Sequence, residues 1–259
     1  MADSVVIDRR FNGPPDSGNG GYTCGLLAGF VEGPASVSLR KPPPLGVPLA
    51  VVRDGGDGNG NGNGNGGNEG GLGVRLMDGD ELVADAEPAP ADPAGSPPEV
   101  VPLDEARAAI EGSAFLSDTH PFPSCFVCGP RRDEGDGLRI FPGWIEERGV
   151  FAAPWTPDPS LATGDGSLPD EIVWSALDCP TSAPGLNSPG PDGTVLPIVL
   201  ARLTADLREP VAAGEEHVIA SWEIGRDGRK REAGAALYDS GGRVLASARA
   251  LWIELRPST

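Results

Sequence analysis

Histidine occurs only twice in these 259 residues, cysteine four times, and methionine and tyrosine twice each. A cysteine nucleophile needs a base beside it, and neither His120 nor His217 stands at a persuasive spacing for that. Four cysteines in a chain of this length do not make a disulfide scaffold, so a reducing interior is the expected setting. Basic residues are scarce too. There are 20 Lys and Arg against 38 Asp and Glu, for a formal net charge of −18. Both halves are acidic, so neither offers the extended basic surface that general nucleic-acid binding needs. No apolar run approaches the roughly 20 residues of a membrane span. The opening residues show no basic start followed by an apolar core, so no signal peptide is expected. These absences together predict a cytoplasmic protein that binds neither nucleic acid nor membrane.

Glycine (38) and proline (28) are abundant instead, near the level at which a chain becomes low in complexity. Yet 39% of residues are hydrophobic, including five Trp and seven Phe, which is enough for packed cores. The low-complexity residues must therefore be concentrated. Residues 55–71 are almost wholly Gly and Asn and read as a disordered insertion. Residues 88–102 are rich in Pro, Ala and Glu and read as a linker, followed by a possible short helix at 103–111. The expected organisation is a first unit at 1–87, a linker at 88–119 and a second unit at 120–259.

Within the first unit, residues 5–11 read as a strand. Gly18-Asn19-Gly20-Gly21 then opens an apolar helical run at 22–31, closed by Gly33-Pro34. Strands are expected at 36–40 and 45–53, and a hairpin around Asp78-Gly79 from 74 to 86. The second unit repeats the order: strands at 138–141 and 149–155, a helix at 171–179 ended by Pro180, then strands at 200–207, 217–224, 231–238 and 244–255. Local matches support a duplication. Ser38-Leu39-Arg40-Lys41-Pro42 matches Asp206-Leu207-Arg208-Glu209-Pro210, 168 residues on. Leu76-Met77-Asp78 matches Leu237-Tyr238-Asp239, 161 residues on.

Two motifs narrow this pattern. Cys125-Phe126-Val127-Cys128-Gly129-Pro130, followed by Gly137-Leu138-Arg139-Ile140, resembles the segment that begins many PaaI-like thioesterase domains. Phe11-Asn12-Gly13, then Asn19-Gly20-Gly21 before a helix, resembles that family's approach to its central helix, with Asn19 where the family usually has His. The resemblance implies an α+β double hotdog, with two antiparallel sheets each wrapped around one long helix. It also implies an acyl-CoA or acyl-carrier thioester as substrate, no cofactor and a pseudo-dimer within the chain, and it allows a homodimer of such chains. In that family the catalytic acid lies about two and a half turns along the helix of the opposing unit.

Thioester cleavage needs donors for the charge that develops on the carbonyl oxygen, and a carboxylate to activate water or to attack. Gly20 and Gly21, at a helix N-terminus, are the candidate donors. Nine residues after Asn19 stands Ala28, whereas nine residues after Pro169 stands Asp178. One half thus keeps the donors and the other keeps the acid, which predicts one working site and one dead one. An acid at a helix C-terminus is disfavoured by the dipole, so Asp178 needs a partner or a job. Asn19 alone is an ordinary helix cap, and Asn12 either holds substrate or water or makes a turn. Arg229, Lys230 and Arg231 form the densest basic cluster and are the candidates for the phosphates of coenzyme A. The bland alternative is a soluble hairpin.

Cys125 and Cys128 form a CxxC. A structural zinc site needs four ligands, however, and Cys24, Cys179, His120 and His217 are not paired at ligand spacing, so no metal is expected. Cys179 reads as a small buried residue. No Asp/His pair at suitable spacing supports a dehydratase or hydratase. The alternatives to hydrolysis are an inactive acyl-CoA-binding protein and a structural partner in a biosynthetic complex.

Overall fold

Eleven strands form one antiparallel sheet among the described residues, which are 3–53, 73–118, 120–186 and 197–255 of a computed structural model. The Gly/Asn tract at 55–71 lies outside them. The first half supplies β1 (Ser4–Val6), α1 (Gly20–Ala28), β2 (Ala35–Leu39), β3 (Pro48–Arg53), β4 (Val74–Asp78) and β5 (Glu81–Pro88). Then comes α2 (Leu103–Ala109). The second half supplies β6 (Gly143–Ile145), β7 (Val150–Trp155), α3 (Asp170–Asp178), β8 (Ile198–Leu207), β9 (His217–Asp227), β10 (Lys230–Tyr238) and β11 (Val244–Glu254). Residues 138–141 do not form the expected strand. Their amides instead bond loop carbonyls, Leu138 to Phe126 and Ile140 to Val127, and Arg139 takes a positive φ of 53°.

The strand order is β1-β3-β4-β5-β2-β8-β11-β10-β9-β7-β6. Each expected sheet is present, and the two run on into one where β2 pairs with β8. The register of that pair explains the repeat. Ser36 lies opposite Thr204, Ala35 opposite Ala205 and Val37 opposite Leu203. With residues 168 apart taken as equivalent, Ser36 meets its own counterpart, and the flanking pairs exchange places as a two-fold axis requires. The offset read from short sequence matches is thus the offset that the backbone pairing obeys. Side chains reinforce the seam, with Thr204 Oγ1 donating to Ser36 Oγ at 3.0 Å and Arg202 Nε to Ser38 Oγ at 3.0 Å.

Side chains that alternate along a strand face opposite sides of the sheet. On β10, Ala235 and Leu237 enter the large core around α1 and α3, while Ala236 and Tyr238 enter a second, smaller core on the other face. That second core is capped by Val101, Leu103 and Ala106 from the segment expected to be a linker and its helix. The segment is anchored further: Tyr238 Oη donates to the carbonyl of Pro98 at 2.9 Å, and Asp92 pairs with Arg208.

On the other face α1 and α3 pack antiparallel, because Gly21 meets Trp174, Ser175 and Asp178 while Gly25 meets Glu171 and Trp174. The N-terminus of α1 therefore lies at the C-terminus of α3. No helix among the described residues is long and apolar enough to cross a membrane.

Candidate active site

Asn19 sets the start of α1. Its backbone is extended, at φ −60° and ψ 136°, and its Oδ1 accepts from the Tyr22 amide at 2.9 Å. This is the ordinary work of an Asn cap. The other end of the same amide does something else: Nδ2 donates to Asp178 Oδ2 at 3.2 Å and lies 3.9 Å from both Cys125 Sγ and Cys179 Sγ. The Gly21 amide also donates to Asp178 Oδ2, at 2.8 Å. The acid from the second half is thus held at the helix start of the first. The unfavourable dipole at the end of α3 is offset by the favourable one at the start of α1.

This hydrogen bond refines the donor assignment. Gly20 and Gly21 were expected to serve a substrate carbonyl together, but Gly21 is committed to the carboxylate because α1 and α3 pack so closely there. A Cβ on Gly21 would stand 2.4 Å from Asp178 Cβ. The Gly20 amide, at the first helical position, has no partner within the helix, and Gly20 forms part of the wall of a cavity of about 540 Å³. Asp178 is the one carboxylate on that wall among the described residues. Only 2% of it is exposed, and Oδ1 has no hydrogen-bond partner among them. Burial pushes its carboxyl up to about 7, against the pull of the Gly21 amide; negative charge on Cys125 pushes it further up, and Asn19 pulls it back.

Most of the remaining wall is apolar. It includes Leu39, Phe115, Phe122, Ile198, Leu200 and Trp252. Trp252 Nε1 donates to Thr181 Oγ1 at 2.9 Å, and that hydroxyl donates to the Asp178 carbonyl at 2.6 Å. The end of α3 is therefore pinned to the sheet.

Several wall residues were not legible as such. Cys125, Cys128 and Cys179 line the cavity together, with Cys125 and Cys179 sulfurs 3.8 Å apart. Cys179 directly follows Asp178, and that adjacency is the sequence signal that places it here. Hydrogen bonds from the Cys128 and then the Cys179 thiol hold the Cys125 thiol well below its ordinary value. His120 also lines the cavity. Its Nδ1 accepts from the Phe122 amide at 3.0 Å, and burial lowers its pKa.

Other candidates lie elsewhere. Asn12 is buried but off the cavity wall: its Nδ2 donates to the Gly13 carbonyl at 2.9 Å and its Oδ1 accepts from Arg132. It ties the CxxC loop to the approach to α1, a join completed by the Phe126 amide donating to the Asn12 carbonyl at 2.8 Å. Arg229, Lys230 and Arg231 are also off the wall, although Lys230 pairs with Ile253 and Arg231 with Trp252, both of which are on it. Arg231 is buried in an ion pair with Glu254, and Arg229 donates to the Glu254 carbonyl at 3.0 Å. Among the described residues, the cations that do line the cavity are Arg40, paired with Asp85, and Lys41, paired with Asp78 and Glu81.

No family model matches the chain, and no curated protein matches it. Solved structures do. A candidate thioesterase of Novosphingobium aromaticivorans DSM 12444 superposes with a TM-score of 0.60 at 14% identity, over 98% of this chain and 95% of that one. A protein of unknown function with a hot dog fold from Alicyclobacillus acidocaldarius gives 0.58 at 11% identity, over 98% and 93%. The fold is a double hotdog. The tesB protein of Mycobacterium avium subs paratuberculosis is similar over the same extent, at 0.54, 11% identity, 98% and 92%. The asymmetry of the candidate site comes from residue identity within this pseudo-symmetric fold. Its two helices are equally long and end on equivalent residues, Ala28 and Asp178, and only the second carries an acid.

Proposed function

We propose that the chain hydrolyses acyl thioesters of coenzyme A or an acyl carrier, in the PaaI-like manner, at one site between its two halves in the cytoplasm. The observation that carries this is the Asp178 carboxylate, buried and held by the Gly21 amide at 2.8 Å beside the helix N-terminus that lines the cavity. A thioester carbonyl at that N-terminus would meet the Gly20 amide and the positive end of α1, both of which favour charge developing on oxygen. Asp178 then either draws the proton from a water that adds to the carbonyl carbon and expels the thiolate, or attacks that carbon itself, expelling the thiolate to give an anhydride that water hydrolyses. Oδ2 is occupied by Gly21 and Asn19, which leaves Oδ1 as the reacting oxygen. The apolar wall takes the acyl chain.

Thiol release from a panel of acyl-CoAs tests the proposal, and absence of turnover across the panel would sink it. One observation favours a second possibility, binding without turnover: the Gly21 amide is engaged by the protein itself. Calorimetric binding of acyl-CoA with no product would select it.

The carrier can be tested separately. Replacing Arg40 and Lys41 together by Ala is expected to raise KM for an acyl-CoA about threefold to tenfold at low salt. The same acyl group on N-acetylcysteamine, which has no phosphates, should be unaffected. Equal effects on both would show that these cations do not meet the coenzyme A phosphates.

A further inference from the structure

The three cavity cysteines have a geometry that thioester hydrolysis does not use. All three sulfurs lie within 4.8 Å of one another, and all three residues are buried. The Cys125–Cys179 separation of 3.8 Å is the one expected between neighbouring sulfurs of a tetrahedral zinc site, where Zn–S of about 2.3 Å gives an edge of about 3.8 Å. Cys125 and Cys128 reach this arrangement through a tight turn, closed by the Gly129 amide donating to the Cys125 carbonyl at 2.9 Å. A Cβ on Gly129 would stand 2.4 Å from that carbonyl oxygen, so the turn excludes any side chain there. Cys179 comes from the end of α3, some fifty positions along the chain, and Thr181 and Trp252 pin that end in place. Asn19 Nδ2 lies 3.9 Å from two of the sulfurs, which is the placement of an outer-shell donor toward thiolates.

We propose that Cys125, Cys128 and Cys179 bind one thiophilic divalent cation, Zn²⁺ in the first instance, with its fourth position open to the cavity. Three protein ligands and an open position toward a cavity form the pattern of zinc sites that meet a substrate or water, and closed structural sites carry four. Three sulfur donors select Zn²⁺ over Mg²⁺ or Ca²⁺, which take oxygen. The site lies in the same cavity as Asp178 and His120. It stands on the sulfur geometry alone and does not depend on the proposed hydrolysis.

Full-length reduced protein, freed of reductant and titrated with Co²⁺, tests the site directly. One equivalent should produce an intense near-ultraviolet thiolate-to-cobalt band with the visible bands of a tetrahedral site, and Zn²⁺ should abolish both by displacement. Cys125→Ser or Cys179→Ser should remove most of the near-ultraviolet band. Cys24→Ser, whose thiol lies outside the cluster, should keep it. No thiolate band in the wild-type protein would overturn the proposal, as would a band that survives both cluster substitutions. The wild-type titration decides by itself if a variant fails to fold.

Discussion

Asp178→Asn is expected to lower kcat for thioester hydrolysis by about 10²- to 10⁴-fold, the range over which a positioned acid or base contributes. Asparagine keeps the shape of the side chain, and its Oδ1 can accept from both the Gly21 amide and Asn19 Nδ2, as Asp178 Oδ2 does now. What disappears is the negative oxygen that attacks or takes a proton. Because no other carboxylate lines the cavity among the described residues, none is placed to substitute. The loss should therefore fall on kcat, with KM within a few-fold of wild type. Thermal unfolding should separate chemistry from misfolding, with Tm within a few degrees of the wild-type value. Unchanged turnover in a folded Asp178→Asn protein would exclude the acid assignment and with it the proposed site.

The residues that made this site legible are those whose partners can be deduced from symmetry. Asn19-Gly20-Gly21 stands at the start of one repeated helix and Asp178 at the end of the other, so an antiparallel pairing of the two helices brings them together. The pairing of Ser36 with Thr204 expresses the same symmetry in the sheet. What escaped the sequence has no symmetric counterpart. Cys179 joins the CxxC only because the end of α3 packs against the Cys125–Cys128 turn, which the Phe126 amide ties to the approach to α1 through the Asn12 carbonyl. Arg229 to Arg231 look free as a sequence cluster, yet β11 brings Glu254 beside them and consumes two of the three. Residues 138–141 have the composition of a strand, but the Leu138 and Ile140 amides bond the carbonyls of Phe126 and Val127 in a loop rather than a strand. The donor role of Gly21 depends on how closely α1 packs on α3, which lets its amide reach Asp178 Oδ2 at 2.8 Å and which no residue pattern specifies.

That closeness is itself the second large prediction. Gly25→Ala should destabilise the protein by about 3 kcal/mol, the upper part of the usual range for overpacking. A Cβ there would lie 2.4 Å from Glu171 Cα and 2.9 Å from Trp174 Cβ, the former a backbone atom that cannot rotate away. Alanine is a better helix former than glycine by about 1 kcal/mol, so propensity opposes the effect without cancelling it. Gly29→Ala supplies the contrast. Gly29 sits at the end of α1 with φ −59°, and a Cβ there meets nothing nearer than 3.6 Å. It should be neutral or slightly stabilising. For a chain of this size the two variants should differ in Tm by roughly 6–12 °C. Moving α1 off α3 also lengthens the Gly21–Asp178 hydrogen bond, so Gly25→Ala should lose activity at temperatures where it remains folded, while Gly29→Ala should not. Equal stability of the two variants would mean that the helices can separate without cost, and that the acid is held by something other than their contact.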